Sequence, residues 1–267
     1  MMRKLPNMTE NFLGRAISAL ETEAFASLFF QWLMRCYEID NTTMLAYFQN
    51  RPPELLFSHA QEKRVHEKLE DDYLTGAYLL DPFHALHIER AAEGLYRMRD
   101  IAPDQFTRNE YFSAYYRRTT LIDEVAYVAY PSEGVSVHVC LGRDASSGRV
   151  FSSRDMERAE QIAPIACALA ARHWSGLRST GDFRDSAVTE ALQKRMEQEH
   201  GVALTGRQAE IALLILKGHS SASIAMRLEI SPQTVKVFRK QLYRKCEISS
   251  QAELFSLMMP MLSSLEF

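Results

Sequence analysis

The sequence predicts an α+β protein with an N-terminal α/β/α domain built on an antiparallel sheet and a C-terminal all-α domain of four helices. A length of 267 residues favours two compact domains over one. Strand-like runs lie in the N-terminal part, whereas short helices with clear capping signals follow from Leu204 onward. The charge divides at the same place: residues 201–267 carry eight basic and five acidic side chains, although the whole chain has a net charge of −3.

The composition excludes several classes of protein. With 46% hydrophobic and 24% charged residues, the chain is typical of globular domains and not of disordered or fibrous ones. No run approaches the roughly 18 apolar residues that span a bilayer. Polar residues also interrupt the first twenty positions, where a signal peptide needs an apolar core. We therefore predict a cytoplasmic protein with no membrane partner.

The sequence shows no signature of catalysis or metal binding. Its cysteines form no C-x-x-C pair, which favours reduced and mostly buried thiols. The G-x-S-x-G, P-loop and H-E-x-x-H motifs are all missing from the sequence. We expect a protein that is not an enzyme, with no cofactor and no metal site.

Three segments are expected along the chain: an N-terminal domain over residues 1–175, a linker and connecting helix over 176–200, and a C-terminal domain over 201–267. The connecting helix is a candidate for pairing with its copy in a dimer. In the N-terminal domain we expect a first helix over about 8–36, strands near 43–48 and 55–58, a hairpin of 122–130 and 135–141, and a last helix over about 153–174.

The second strand of the predicted hairpin alternates apolar residues with Ser136, His138 and Cys140. One of its faces should pack on helices, and the other is small and polar enough to line a cavity. His138 is therefore a candidate ligand contact. The alternative is a buried histidine with a structural role.

The C-terminal domain opens with a capping box at Thr205–Gln208, and its first helix should end at Gly218. A second helix can begin at Ser220 or Ser221, and Ser231-Pro232 is typical of a third helix start. The last helix should begin at Ser250, and its apolar residues exceed what a three-helix core needs, which predicts a contribution to a dimer. Helices and turns of these lengths suit a helix-turn-helix unit.

The third helix of this unit is basic. Residues 231–246 include five lysines and arginines and no acidic residue, and Lys236 and Lys240 share one helical face. Such a helix can enter the major groove of DNA. The alternative is a solvated basic face on a small helical bundle.

The segment from Leu204 to Leu254 closely resembles the LuxR/GerE-type helix-turn-helix, through Leu204-Thr205-x-Arg207, Gly218, Ile230-Ser231, Thr234-Val235-Lys236 and Tyr243-x-Lys245. The resemblance implies that Lys236, Val237 and Lys240 face bases, and that Thr234, Arg239, Arg244 and Lys245 contact the DNA backbone. The chain departs from the family pattern at Gln208, Glu229, Phe238, Cys246 and Gln251.

Residues 73–83, with the sequence YLTGAYLLDPF, resemble the tyrosine-rich segment ending in Asp-Pro of autoinducer-binding and related GAF/PAS-like sensor domains of LuxR-type regulators. The resemblance implies ligand contacts at Tyr73, Tyr78, Asp81 and Phe83, together with the candidate His138. The alternatives are a helix-capping role for Asp81 and core packing for the tyrosines.

The ligand implied by this segment differs from a standard acyl-homoserine lactone, because Trp32 and Trp174 lie far in sequence from Asp81. A buried carboxylate needs a hydrogen-bond donor, which favours an amine- or amide-bearing metabolite over an anion. The predicted function is a one-component, ligand-responsive regulator that binds double-stranded promoter DNA as a homodimer and contacts RNA polymerase. The alternative is an N-terminal domain that binds no ligand and serves dimerisation or protein binding.

Overall fold

The computed structural model describes residues 9–49, 51–179 and 187–265. The chain forms two compact units. One consists of residues 1–67, 89–101 and 120–181, and we call it the sheet unit. The other consists of residues 68–88, 102–119 and 182–267, and we call it the helical unit.

The sheet unit contains β1 (Asn41–Phe48), β2 (Glu54–Ala60), β3 (Gly94–Arg97), β4 (Leu121–Ser132) and β5 (Val135–Asp144). These strands form an antiparallel sheet in the order β2-β1-β5-β4-β3. The helices of the sheet unit are α1 (Thr9–Ser18), α2 (Phe25–Cys36), α4 (Met98–Ile101) and α6 (Ser153–His173). Two short helices that lie between them in sequence, α3 (Pro82–Ile88) and α5 (Glu110–Ala114), belong to the helical unit. The predicted α+β fold class is confirmed.

Aromatic side chains of α2 and aliphatic side chains of the sheet build the core of the sheet unit. Phe25, Phe29 and Trp32 are fully buried together with Val137 and Val139 of β5. Burial of such side chains supplies the main driving force for folding. The buried hydroxyl of Tyr127 is paired, because it donates to the carbonyl of Ala159 at 3.1 Å. The indole Nε1 of Trp32, in contrast, is buried with no hydrogen-bond partner among the described residues.

The predicted first helix is two helices. Apolar residues continue at helical spacing across residues 19–24, which is why the sequence suggested one helix. The backbone of Glu21, however, lies in the left-handed region at φ 64°, and this conformation ends α1. The hydroxyl of Thr22 donates to the carbonyl of Ala19 at 2.8 Å and holds the turn before α2.

The hairpin between β4 and β5 is tighter than the sequence suggested. Ser132 still pairs with Val135, so the turn is reduced to Glu133 and Gly134. Gly134 has φ 72°, a conformation that glycine adopts without steric cost.

The helical unit contains α7 (Ala187–His200), α8 (Gly206–Lys217), α9 (Ser221–Arg227), α10 (Pro232–Lys245) and α11 (Gln251–Leu262). The helices α8 to α11 confirm the predicted four-helix C-terminal fold. Part of the predicted linker and connecting helix, residues 180–186, lies outside the described residues. Among the described helices, none combines the length and the hydropathy of a membrane span.

The apolar residues that suggested dimer contacts lie inside the helical unit. Leu192 and Met196 of α7 are fully buried, and so are Leu254 and Met258 of α11. These helices pack on each other and on α8, and α11 also packs on residues 77–80 and on α5. Leu254, Met258 and Met261 of α11 are thus buried within one chain, whereas Leu257 is only partly buried. The dimer contact of this helix stays a prediction.

Candidate DNA interface and candidate ligand site

Helix α10 begins at a capping serine. The backbone N–H of Thr234 donates to the hydroxyl oxygen of Ser231 at 3.0 Å, and Pro232 occupies the first turn. Val235 and Leu242 are fully buried and attach the helix to α8 and α9. The side of α10 opposite these two residues is left exposed.

Four of the predicted DNA contacts share this exposed side. With about 100° of rotation per residue, Lys236, Lys240, Arg244 and Val237 fall within an arc of about 100°. All four are exposed, and Val237 keeps 46% of its surface. The arrangement presents three positive charges and one small apolar side chain on a single convex face, as entry into a major groove requires.

Gln233 was not predicted as a DNA contact. It is exposed, and by the same geometry it lies between Lys240 and Arg244 on the arc, one turn before Lys236. A glutamine at the N-terminal end of such a helix can make two hydrogen bonds to adenine. Gln233 lies three residues before Lys236, and this spacing could have indicated from the sequence that both share one helical face.

The remaining predicted contacts are placed differently. Lys245 already donates from Nζ to the carbonyl of Ala203 at 2.8 Å and to Oε1 of Gln208 at 3.1 Å. The guanidinium of Arg239 lies over the ring of Tyr243, 5.1 Å from its centroid. Thr234 lies beside the cap, and its hydroxyl is 2.7 Å from that of Ser231. These three side chains therefore have roles within the domain.

Residues 102–119 hold the turn between α8 and α9. The carbonyl of Gly218 accepts from the backbone N–H of Gln105 at 3.0 Å, and the carbonyl of Leu216 accepts from Nδ2 of Asn109 at 3.2 Å. The backbone N–H of Ser220, which caps α9, donates to Oδ1 of Asp104 at 2.9 Å. Three hydrogen bonds thus fix the start of the helix-turn-helix, and the sequence alone gave no sign of them.

Four predicted ligand residues lie together in the helical unit. Tyr73, Tyr78, Asp81 and Phe83 are all at least nine-tenths buried. The hydroxyl of Tyr73 donates to Oδ2 of Asp81 at 2.8 Å, and the backbone N–H of Phe83 donates to Oδ1 at 2.8 Å. Asp81 therefore caps α3, the alternative role considered from the sequence, and binds a tyrosine as well.

Five aromatic residues extend the group around Asp81, and we call them the aromatic cluster: Tyr73, Tyr78, Phe106, Tyr111 and Tyr115. Tyr73 lies 5.5 Å from Tyr115 and 6.5 Å from Tyr78, measured between ring centroids, and Tyr115 stacks on Tyr111 at 5.8 Å. Tyr111 in turn lies 6.0 Å from Phe106, in the segment that holds the α8–α9 turn. Such spacings are typical of packed aromatic pairs. The cluster is continuous from Asp81 to that segment.

Burial raises the pKa of Asp81 to about 6, and the hydrogen bonds from Tyr73 and Phe83 act in the opposite direction. Burial also raises the pKa of Tyr78, which keeps its hydroxyl neutral. A carboxyl group with a pKa near 6 changes charge close to neutral pH.

His138 belongs to the sheet unit, on the face of β5 opposite the helix-packed core. It is fully buried, its Nε2 lies 3.0 Å from the hydroxyl of Ser136, and its ring lies 4.7 Å from that of Tyr47. The polar face of β5 is therefore as buried as the apolar one, and the structure gives His138 the surroundings of a structural histidine.

Residues 202–258 match the model of the family described as bacterial regulatory proteins, luxR family. The C-terminal domain is a luxR-family helix-turn-helix. The match covers α8, α9 and α10 and the first part of α11, so the exposed face of α10 lies inside it. The likeness to this family inferred from the sequence is confirmed.

Two curated relatives carry related names. An HTH-type transcriptional regulator of Aeromonas salmonicida, encoded 3′ of exeN, is 28% identical over 182 residues, which cover 66% of this chain and 92% of the relative. The monoamine regulon transcriptional regulator of Klebsiella aerogenes is 22% identical over 204 residues, which cover 76% and 77%. The luxR-family description and both names point to a transcriptional regulator and not to an enzyme.

A solved structure extends the likeness beyond the luxR-family domain. The LBD domain of VqsR from Pseudomonas aeruginosa superimposes with a TM-score of 0.53 and 25% identity, over 63% of this chain and 98% of that domain. The chain therefore combines a luxR-family helix-turn-helix with a fold found in the ligand-binding domain of another such regulator.

Proposed function

We propose that this chain is a one-component transcriptional regulator that binds promoter DNA through α10 and responds to a small metabolite at the aromatic cluster around Asp81. One observation supports the proposal above all: the aromatic cluster and the helix-turn-helix belong to the same compact unit. A ligand at the cluster would therefore bind within the body that contains the DNA-binding helices.

The DNA contact is assigned to Gln233, Lys236, Val237, Lys240 and Arg244. The residues in the N-terminal half of the exposed face would meet base edges, and Arg244 would meet phosphates. Lys245, Arg239 and Thr234 would act through the domain itself, because each already has a partner there.

A physical path joins the two functions. A hydrogen-bond donor of the ligand could replace the Tyr73 hydroxyl at Oδ2 of Asp81. The side chain of Tyr73 would then be free to shift against the ring of Tyr115. Tyr115 packs on Tyr111, two residues after Asn109, which holds the last turn of α8. Ligand binding would thus change how the α8–α9 turn is held, and with it the presentation of α10.

The ligand that suits this site bears an amine or amide. An ammonium group beside Asp81 stabilises the carboxylate and lowers its pKa, whereas an anion would raise the cost of the buried charge. The tyrosine rings also attract a cation through their faces. The relative named for a monoamine regulon supports this choice of chemistry, and the likeness to the VqsR LBD domain supports a ligand site. His138 belongs to the sheet unit and stays a predicted ligand contact. The choice of an amine or amide does not depend on it.

The active species on DNA is proposed to be a homodimer on paired half-sites, because a single small domain buries little DNA surface. The promoter-bound dimer would contact RNA polymerase in the cytoplasm. Sedimentation of the operator complex should give two chains per duplex, and one chain at saturation would contradict the dimer.

A thermal-shift screen of the full chain tests ligand binding. The full chain is needed because residues 68–88 and 102–119 belong to the helical unit, so a fragment ending near residue 175 would divide it. The matched probes are 2-phenylethylamine, phenylacetamide and phenylacetate. A ligand that binds only the folded state raises its melting temperature.

We expect the amine or the amide to raise the melting temperature of the wild type and not that of Asp81→Asn. A shift with phenylacetate alone would overturn the assigned chemistry. No shift with a broad set of amines and amides would favour the alternative of a ligand-free dimerisation or protein-binding module.

A further inference from the structure

The sheet unit contains a cleft that the proposed function does not use. Its volume is about 680 Å³, within the range of small-molecule sites. Side chains of α1, of α2 and of the turn that follows α2 line it, together with the end of β5 and the loop after it. None of the five predicted ligand residues lines it.

The lining is rich in arginine. Arg15, Arg35, Arg143 and Arg149 face two acidic residues, Glu38 and Asp40. The cleft therefore has a net positive charge in a protein whose overall charge is negative. A concave positive site concentrates anions.

Arg143 is the buried member of the set, with 3% of its side chain exposed. Its two terminal nitrogens lie 3.2 Å from a carboxylate oxygen of Glu38 and 3.3 Å from one of Asp40. Its Nε is buried with no hydrogen-bond partner in the described part of the chain. Both acidic residues of the cleft are thus engaged by this guanidinium, and Glu38 also lies 3.8 Å from a terminal nitrogen of Arg149.

Arg15 and Arg35 are left without a carboxylate within ion-pair distance among the described residues. Both are exposed, and both guanidinium groups lie over the ring of Phe12, 5.5 Å and 4.7 Å from its centroid. Arginine side chains held on an aromatic ring lose less freedom when they bind a planar or phosphate anion.

Apolar side chains complete the lining. Phe12 is half-buried, Ile39 is buried, and Met34 keeps 37% of its surface exposed. A methionine side chain adapts to ligands of different shapes. The cleft therefore offers positive charge and apolar surface side by side.

We propose that this cleft binds an organic anion that carries a phosphate or carboxylate group beside an apolar portion. Arg15 and Arg35 contact the anionic group, and Phe12, Met34 and Ile39 contact the apolar portion. The chemistry is opposite in charge to that proposed for the Asp81 site, so the chain has two sites with different ligands.

Calorimetric titration of the full chain with octyl phosphate, below its micelle concentration, tests the proposal. Octyl glucoside has the same chain with a neutral head, and inorganic phosphate has the head without the chain. We expect octyl phosphate to bind at least tenfold more tightly than either. Because exposed charges are screened by salt, its affinity should fall as sodium chloride is added.

The Arg15→Gln/Arg35→Gln variant should lose about tenfold in affinity, through two charged contacts. The matched control is Arg51→Gln/Arg172→Gln, which removes two exposed arginines of the same unit outside the cleft. Far-UV circular dichroism establishes that each variant is folded. The control should bind octyl phosphate as the wild type does.

Equal affinities of the wild type and the Arg15→Gln/Arg35→Gln variant would overturn the proposal. Octyl glucoside binding as tightly as octyl phosphate would do the same, as would loss of binding in Asp81→Asn with retention in the arginine variant. If the arginine variant changed only the sedimentation coefficient, the cleft would be an interface between copies of the chain.

Discussion

Single side chains set the ends of the helices in the helical unit. Thr205, Ser220 and Ser231 each accept a hydrogen bond from a backbone N–H of the first turn that follows. Gln208 completes the first cap by accepting from the backbone N–H of Thr205 at 3.1 Å, so the capping box survives without a glutamate. Such local rules involve neighbours in sequence, and this is why these helix starts could be predicted.

Glu229 stands at a position where the luxR-type pattern commonly has glycine, and its backbone lies in the left-handed region at φ 54°. Glycine adopts this conformation without the steric cost that other residues bear. We expect Glu229→Gly to increase the free energy of unfolding by about 0.5–1 kcal/mol, measured by urea denaturation. Glu247→Gly, at φ 56°, should have the same sign. A lower stability in both variants would show that the strain argument does not hold.

Asp81 should make stability depend on pH. Its pKa in the folded chain is about 6, above its ordinary value of 3.8, because it is buried. The contribution of such a group is fully present below the unfolded pKa and is lost as the pH rises through the folded pKa. Between pH 4 and 7, the free energy of unfolding should therefore fall by about 2 kcal/mol relative to that of Asp81→Asn. Urea titrations at several pH values measure the difference, and a constant difference would contradict the shift.

The apolar periodicity predicted which segments form helices and strands, but not the residues at which those elements end. The spacing in α10 correctly placed Lys236 and Lys240 on one exposed face of the helix. The break between α1 and α2 escaped prediction because the apolar spacing continues through it, and only the left-handed backbone of Glu21 ends the helix. The packing of α11 on residues 77–80 and on α5 also could not be predicted, because it depends on contacts far apart in sequence.

Two adjacent residues of α10 should respond to substitution in opposite ways. Lys245 links the end of α10 to the segment before α8 through the carbonyl of Ala203 and to the capping box through Gln208. We expect Lys245→Ala to cost about 1 kcal/mol in unfolding free energy, with a small effect on DNA affinity. Arg244→Ala should leave stability unchanged and weaken binding to all DNA sequences. Thermal denaturation and DNA titration measure the two effects. If Arg244→Ala lowered stability and Lys245→Ala lowered DNA affinity, the roles assigned to the two residues would be wrong.

The order of segments along the chain differs from their grouping into compact units. Composition and charge predicted a division near residue 200, whereas residues 68–88 and 102–119 belong to the same compact unit as the helix-turn-helix. Of the candidate ligand site, the sequence predicted Tyr73, Tyr78, Asp81 and Phe83. It did not predict that Asp104 and Asn109 hold the turn between α8 and α9, because isolated polar residues carry no signal of a distant carbonyl or N–H partner.

The chain is proposed to read a DNA sequence through the exposed face of α10, and its affinities for two duplexes test this proposal. A duplex selected by the full chain from a random pool is titrated by fluorescence anisotropy against a scrambled duplex. Lys236→Ala or Lys240→Ala should each reduce the ratio of the two affinities by roughly 5- to 150-fold, the equivalent of 1–3 kcal/mol at one base pair. Arg244→Ala should lower both affinities alike and flatten their salt dependence. If the lysine variants lost affinity equally for the selected and the scrambled duplex, the face of α10 would bind phosphates only, and the claim would be wrong.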